Sequence, residues 1–144
     1  MLGIKNRATP KFKAILRDAG FRATKQRLAL LMLLGQTAGP ISVKAVAQRM
    51  KSQADFVTVY RALEALAGAG IVTRVDLRHS HAHYELAVGM AHHHHLVCNS
   101  CGEIEDIHEC PLPTLQKKAL RGSTKFASVQ NHALELFGIC NKCV

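Results

Sequence analysis

The chain has 144 residues, of which 48% are hydrophobic and 20% charged, and it carries a formal net charge of +9. This length allows one ordinary domain or two small ones, and the apolar content argues against a disordered chain. The sequence contains no run of about 18 apolar residues, the length that a membrane-spanning helix needs. The N-terminal residues lack the apolar segment of a secretory signal. We therefore expect a cytoplasmic protein with no membrane partner, in which clustered cysteines indicate metal ligands before disulfides.

The positive charge is concentrated in the first part of the chain. Residues 1–86 contain fourteen Lys and Arg against five Asp and Glu, whereas residues 87–144 contain five of each kind. Such a basic region favours a polyanionic partner, most simply double-stranded DNA. The alternative is a basic surface that only serves solubility.

Helix and turn signals dominate the first 70 residues. Apolar residues at helical spacing predict four helices, at 11–20, 25–36, 43–50 and 55–70. Each of the last three helices follows a residue that commonly caps a helix N-terminus: Thr24, Ser42 and Asp55.

The fourth predicted helix has two distinct faces. Val59, Leu63 and Leu66 recur at i, i+4 and i+7 and are expected to point into a core. An exposed face then carries Tyr60, Arg61 and Glu64. Two strands follow, at 71–77 and 78–86, with a turn near residues 78–80. Helices followed by a β-hairpin indicate a winged helix-turn-helix, and the alternative is a small helical domain with a polar surface.

The remainder of the chain alternates strands with one helix. Strands are predicted at 93–98 and 103–107 as a hairpin, followed by a helix at 112–122 and one long strand at 126–140. Residues 133–139 are apolar on nearly both faces, as in a strand buried on both sides. The fold class is therefore α+β, with a winged-helix DNA-binding domain at 1–86 and a metal-binding domain at 87–144. The second domain has little core of its own, so metal or a partner subunit is expected to supplement it.

Two C-x-x-C pairs predict a structural zinc site. Cys98 and Cys101 form the first pair, and Cys140 and Cys143 form the second. Two such pairs complete a closed tetrahedron around Zn²⁺. The alternatives are four unligated buried cysteines or a redox pair, although no βαβ unit surrounds either pair. The fifth cysteine, Cys110, is interpreted as a buried thiol in preference to a ligand or sensor.

Four motifs in order resemble the ferric uptake regulator family of bacterial metal-sensing repressors. They are "GFRATKQRLALL" (20–31), "TVYRALEALAGAGIV" (58–72), "HHHHLVCNSCG" (92–102) and "NHALELFGIC" (131–140). The resemblance implies an N-terminal winged-helix domain, a hinge and a C-terminal α/β dimerisation domain. It also implies a homodimer that binds palindromic operators with metal as corepressor.

The resemblance assigns DNA contacts to Tyr60 and Arg61 in the recognition helix, with Thr58 nearby. The chemistry agrees, because a guanidinium can grip guanine or phosphate and a phenol can pack on a thymine methyl. Lys11, in the first helix, is expected to contact phosphate without reading sequence.

The four consecutive histidines have two faces if they lie on a strand, because alternate residues point in opposite directions. The resemblance implies that His93 and His95 form the regulatory site with Glu85 of the hinge. His83 or His81, on the same predicted strand face as Glu85, would complete the set, because the loop "TAGPIS" (37–42) lacks the histidine that many family members carry. A solvated histidine tract that binds nothing specific is the alternative.

The opposite face, with His92 and His94, is implied to meet His132 and a downstream acid in a second site. The acid expected from the family pattern falls near Pro113, which leaves Glu109 or Asp106 as substitutes.

These features predict a metal-dependent repressor of metal-homeostasis genes, with no enzymatic activity and no small-molecule substrate. The regulatory donors suit Zn²⁺ slightly better than Fe²⁺, and Mn²⁺ would accept the same ligands. The alternatives are a peroxide-sensing iron or manganese regulator of the same family and a metal buffer or chaperone. A zinc hydrolase built on the histidines would leave the basic helical half without a purpose.

Overall fold

The computed structural model describes residues 5–78 and 81–144, in two compact units. One unit runs to Met90, and the other spans Ala91–Val144. The sequence placed this boundary after residue 86, but the backbone amides of Ala87 and Val88 donate to the carbonyl of Ile71 and so continue the first unit. Helices and two small sheets confirm the α+β class. None of the described helices has both the length and the apolar character that crossing a bilayer requires.

Within its described residues, the first unit contains four helices and a three-stranded sheet. In chain order its elements are α1 (Lys5–Asp18), α2 (Lys25–Gln36), β1 (Ile41–Ser42), α3 (Val43–Arg49), α4 (Phe56–Gly68), β2 (Val72–Val75) and β3 (His83–Leu86). The first helix starts earlier than predicted and contains Pro10. The turn predicted near residues 78–80 lies partly outside the described residues.

Local caps explain where three of these helices begin. The side chains of Thr24, Ser42 and Asp55 accept hydrogen bonds from the backbone amides three residues further on, at the starts of α2, α3 and α4. Each cap provides an acceptor for an amide that has no partner inside the helix. The three predicted caps are thus confirmed.

The core of the first unit lies between the helices and the antiparallel sheet, whose strand order is β1-β3-β2. The predicted inward face of α4 is confirmed, since Val59, Leu63 and Leu66 are all buried. β2 and β3 pair as the predicted wing hairpin, with Val72 opposite Leu86 and Val75 opposite His83. Because α3 and α4 are joined by a short turn and followed by this wing, the unit is a winged helix-turn-helix.

The second unit is a mixed sheet with one helix. Its elements are β4 (His94–Cys98), β5 (Ile104–Ile107), α5 (Leu112–Arg121) and β6 (Glu135–Gly138). The sheet order is β5-β4-β6, with β4 antiparallel to β5 and parallel to β6. The predicted hairpin and helix are therefore present.

The long strand predicted at 126–140 is wrong. Only Glu135–Gly138 is a strand, because β6 can pair only along β4, which is itself five residues long. The expected burial on both faces is also wrong within this chain, since Leu136 and Ile139 are 45% and 55% exposed.

Candidate metal centres and nucleic-acid interface

The four paired cysteines meet at one end of the second unit's sheet. The parallel register of β4 and β6 sets Cys98 opposite Gly138, and the amide of Asn99 donates to the carbonyl of Gly138 at 2.8 Å. The chain after β6 therefore returns to the turn that follows β4. All four sulfur atoms lie within 4.8 Å of one another, those of Cys98, Cys101, Cys140 and Cys143.

The spacing of the sulfurs fits a tetrahedral ion. Sulfurs bound to Zn²⁺ at about 2.3 Å stand about 3.8 Å apart, and the sulfurs of Cys101 and Cys140 are 3.6 Å apart. The amide of Cys140 also donates to the sulfur of Cys98 at 3.3 Å, as it would to a thiolate. The four residues therefore fit a closed zinc site with no open position.

The ionisation of these thiols differs with their hydrogen bonds. Backbone amides of Cys101 and Cys140 lower the pKa of Cys98 to about 6. A backbone hydrogen bond at Glu103 lowers the pKa of Cys101, but the neighbouring thiols outweigh it and raise that pKa to about 12. Cys98 is therefore the thiolate already stabilised by the protein, while crowding by other sulfurs keeps a proton on Cys101 in the absence of a cation.

A second cluster combines three histidines with Cys110. Ring nitrogens of His92, His94 and His132 and the sulfur of Cys110 all lie within 4.8 Å of one another. The Nε2 atoms of His92 and His94 are 3.0 Å apart, and those of His132 and His92 are 3.2 Å apart. The sulfur of Cys110 is 3.8 Å from Nε2 of His132.

Glu109, which the sequence offered for this cluster, is exposed and does not belong to this donor group. It lines a depression of about 340 Å³ beside His94 and Cys110. Asp106 faces the other side, where one carboxylate oxygen lies 3.9 Å from Nε2 of His95. From the sequence, Cys110 is expected to be a buried thiol and not a ligand, because its distance along the chain from the histidines matches no known metal-binding motif.

The side chains of the four consecutive histidines point alternately to opposite sides of the chain, two of them in β4 and two just before it. The rings of His92 and His94 stand edge to face at 4.6 Å, and those of His93 and His95 do so at 5.1 Å. His94 and His95 are both buried, although on opposite sides of the strand.

The wing strand of the first unit carries the remaining predicted metal ligands. His83 and Glu85 are two residues apart on β3, opposite Val75 and Thr73 of β2, and so share one face. His81 precedes the strand in a bend, and its carbonyl lies 3.0 Å from Nδ1 of His83. The expectation that His81 continues the strand face is therefore wrong.

The exposed side of α4 borders a groove in the first unit. Thr58 and Arg61 line this groove of about 390 Å³ together with Arg27 of α2. Tyr60 is 37% exposed, and Lys11 of α1 is exposed as well. Guanidinium groups from two helices along one open groove favour an anionic partner.

A hydrogen-bond network that the sequence did not predict joins α4 to the wing. The buried hydroxyl of Tyr84 donates to the carboxylate of Glu64, and Arg74 of β2 lies 3.4 Å from the same oxygen. Burial and the bond to Glu64 raise the pKa of Tyr84 well above its usual value, so the phenol stays protonated. The network holds helix and hairpin in one relative position.

Comparison with known proteins gives consistent matches over most of the chain. The sequence profile of the "Ferric uptake regulator family" matches residues 18–137. The "Ferric uptake regulation protein" of Legionella pneumophila is 34% identical over 132 residues, which cover 89% of this chain and 95% of that protein.

Solved structures are similar over a comparable length. The ferric uptake regulator of Vibrio cholerae, described for a rearrangement of its DNA-binding domains, superposes with a TM-score of 0.73 at 32% identity, covering 89% of this chain and 98% of that one. The ferric uptake regulator of Francisella tularensis with iron superposes with a TM-score of 0.72 at 28% identity, covering 86% and 95%.

Proposed function

The chain belongs to the ferric uptake regulator family, and we propose that it is a metal-dependent transcriptional repressor that binds palindromic DNA operators as a homodimer. One observation carries this proposal. A basic winged-helix unit presents the exposed face of α4, while a separate unit gathers two clusters of metal-binding side chains. Neither an enzyme nor a metal buffer would need the basic winged-helix unit.

We assign DNA recognition to α4. Arg61 and Tyr60 would contact base edges in the major groove, and Thr58 would contact the adjacent backbone. The groove between α2 and α4 supports this assignment, because Arg27 adds positive charge beside Arg61. Lys11 would contact phosphate, where it adds affinity without sequence preference.

We assign the structural zinc to Cys98, Cys101, Cys140 and Cys143. The sulfur spacing and the amide that donates to Cys98 support this ligand set. Zinc bound there would supply no catalysis, because a closed four-sulfur site leaves no position for water. It would tie the turn after β4 to the chain after β6 at one end of the second unit's sheet, and so stabilise the dimerisation domain.

We assign the regulatory site to Glu85, His93 and His95, with His83 or His81 as a further ligand. Two facts support this, each within one unit. His83 and Glu85 share a face of β3, and His93 and His95 share a face with their rings 5.1 Å apart. Imidazole nitrogens and one carboxylate are donors that Zn²⁺, Fe²⁺ and Mn²⁺ all accept.

The mechanism follows from ligands contributed by both the wing strand and the hinge. When these side chains bind one ion, the DNA-binding units of the dimer are held at the spacing of the operator half-sites. Without the ion the hinge is loose, and operator binding becomes weaker by a coupling free energy of roughly 1–3 kcal/mol.

The donor set and the names of the relatives favour different regulatory ions. The absence of a histidine in the loop at 37–42 lowers the number of ligands and favours four-coordinate Zn²⁺. The relatives, in contrast, are named for ferric uptake. We therefore propose Zn²⁺ or Fe²⁺, and a peroxide-sensing regulator would use the same donors for Fe²⁺.

Operator binding titrated separately with Zn²⁺, Fe²⁺ and Mn²⁺ under anaerobic conditions tests the proposal. Fluorescence anisotropy on a palindromic duplex should show tight binding with one ion and weak binding with chelator. A scrambled duplex of the same length serves as control. A protein that binds the ions yet treats both duplexes alike would be a metal buffer, and peroxide-dependent release only in the presence of Fe²⁺ would identify a peroxide sensor.

A further inference from the structure

The resemblance implies a second metal site at His92, His94 and His132, with an acid as the fourth ligand. We propose that the sulfur of Cys110 takes the place of that acid, and that this thiolate makes the site select a borderline-soft divalent ion such as Zn²⁺ over Fe²⁺ or Mn²⁺. The site is distinct from both the four-cysteine group and the regulatory donors. Its ligand from the segment after β5 is the sulfur of Cys110, and Glu109 stays outside the donor set.

The distances between the donors match a tetrahedron. At usual zinc bond lengths, two nitrogens stand about 3.3 Å apart, and a nitrogen and a sulfur about 3.6 Å apart. The two nitrogen pairs measured here are 3.0 and 3.2 Å apart, and the sulfur of Cys110 is 3.8 Å from Nε2 of His132. A single ion at the centre would therefore reach all four donors with small side-chain adjustments.

The orientation of the rings also favours a cation. Nε2 of all three imidazoles points into the cluster. The ring of His94 also hydrogen-bonds the backbone of Leu134. Metal-bound histidines characteristically donate from their second nitrogen in this way, which fixes the ring and leaves the lone pair of Nε2 of His94 for the ion.

The thiolate determines the selectivity. A thiolate is a soft ligand that favours Zn²⁺, Co²⁺ or Cu⁺, whereas a carboxylate from Glu109 would have suited Fe²⁺ and Mn²⁺ better. Three of the four donor residues are at least partly exposed, and His94 alone is buried. An ion can therefore enter from solvent.

Cobalt serves as a spectroscopic probe of this site in the full-length protein that retains its structural zinc. Co²⁺ bound to a thiolate gives a near-ultraviolet charge-transfer band, and Cys110 is the one cysteine outside the two C-x-x-C pairs. We expect this band to saturate at the intensity of one cobalt–thiolate bond per chain while the zinc content stays constant. Cys110→Ser should abolish the band and weaken binding at least about tenfold, whereas Glu109→Gln should change neither.

Three outcomes would overturn the proposal: a band that survives Cys110→Ser, a band that appears only as zinc is lost, or no band with zinc retained. A second measurement does not depend on folding of the variant. Alkylation of Cys110 in the unmodified protein, mapped by mass spectrometry, should slow at least about tenfold when Zn²⁺ is added beyond the structural equivalent. An unchanged alkylation rate would exclude the thiolate as a ligand.

Discussion

Replacing Cys143 with serine measures how far the second unit depends on zinc. Cys143 follows β6 in the turn that closes the four-cysteine group, and it is only partly buried, so serine removes the thiolate with little loss of packing. Of the buried hydrophobic residues in the described chain, just Val97, Cys98 and Leu112 belong to Ala91–Val144. With so small a core, the unit should depend for its stability on the zinc that we propose for it.

The magnitudes predict unfolding of that unit. A domain of 54 residues has a free energy of unfolding of roughly 3–8 kcal/mol at typical per-residue values. Structural zinc contributes roughly 10–16 kcal/mol to small metal-dependent domains. Loss of the ion therefore removes more free energy than the unit has.

Hydrogen exchange with mass spectrometry, together with zinc analysis, provides the assay. Cys143→Ser should lose its zinc, and the amides of β4, β5 and β6 should exchange rapidly while those of α2 and α4 remain protected. Lys142→Ala is the matched control, since it removes only the surface ion pair with Glu103. Retained protection of β4 to β6 in a zinc-free variant would refute the reasoning, because the sheet would then be stable without the metal.

Three further predictions concern DNA binding and the wing. Arg61→Ala should cost roughly 1–3 kcal/mol in binding to a palindromic operator but leave urea unfolding unchanged, and an equal loss on random DNA would mean that Arg61 contacts only phosphate. Tyr84→Phe should destabilise the first unit by roughly 1–2 kcal/mol in urea unfolding, because the bond to half-exposed Glu64 is lost; unchanged stability would show that the bond contributes nothing. His93→Ala should abolish metal-dependent operator binding with the structural zinc retained, and His92→Ala should weaken it much less; equal effects in a metal-titrated anisotropy assay would contradict the two-faced arrangement of the histidines.

The parts of this fold that the sequence predicts are those controlled by near neighbours. Each of the caps Thr24, Ser42 and Asp55 bonds an amide three residues away, so the signal and its partner lie within one window of sequence. The same holds for the alternation of the histidine rings, which follows from the strand period alone. Contacts across the unit have no such signature. The bond between Glu64 and Tyr84 spans twenty residues and depends on how the wing lies against α4.

Cys110 shows the same limit at a candidate site. It is separated from His132 by 22 residues, and only the path of the chain between β5 and α5 brings the sulfur to the histidines. The family pattern predicts an acid in this region, and Glu109 is the adjacent residue of the right type. Because a shift of one residue reverses the direction of a side chain in extended backbone, residue type selected Glu109, whereas the structure brings the adjacent Cys110 to the histidines.

The error at 126–140 has a different physical origin. Apolar residues on both faces usually indicate a strand buried on both sides, but that rule assumes that the single chain supplies the cover. Here Phe126, Leu136 and Ile139 are 72%, 45% and 55% exposed. If the protein is a homodimer, as we propose, a second copy supplies the missing cover, and obligate dimer interfaces are as apolar as a domain core cut in half. Hydrophobicity in this segment then reports burial in the assembly, so the sequence pattern is correct about apolar surface and wrong only about which chain covers it.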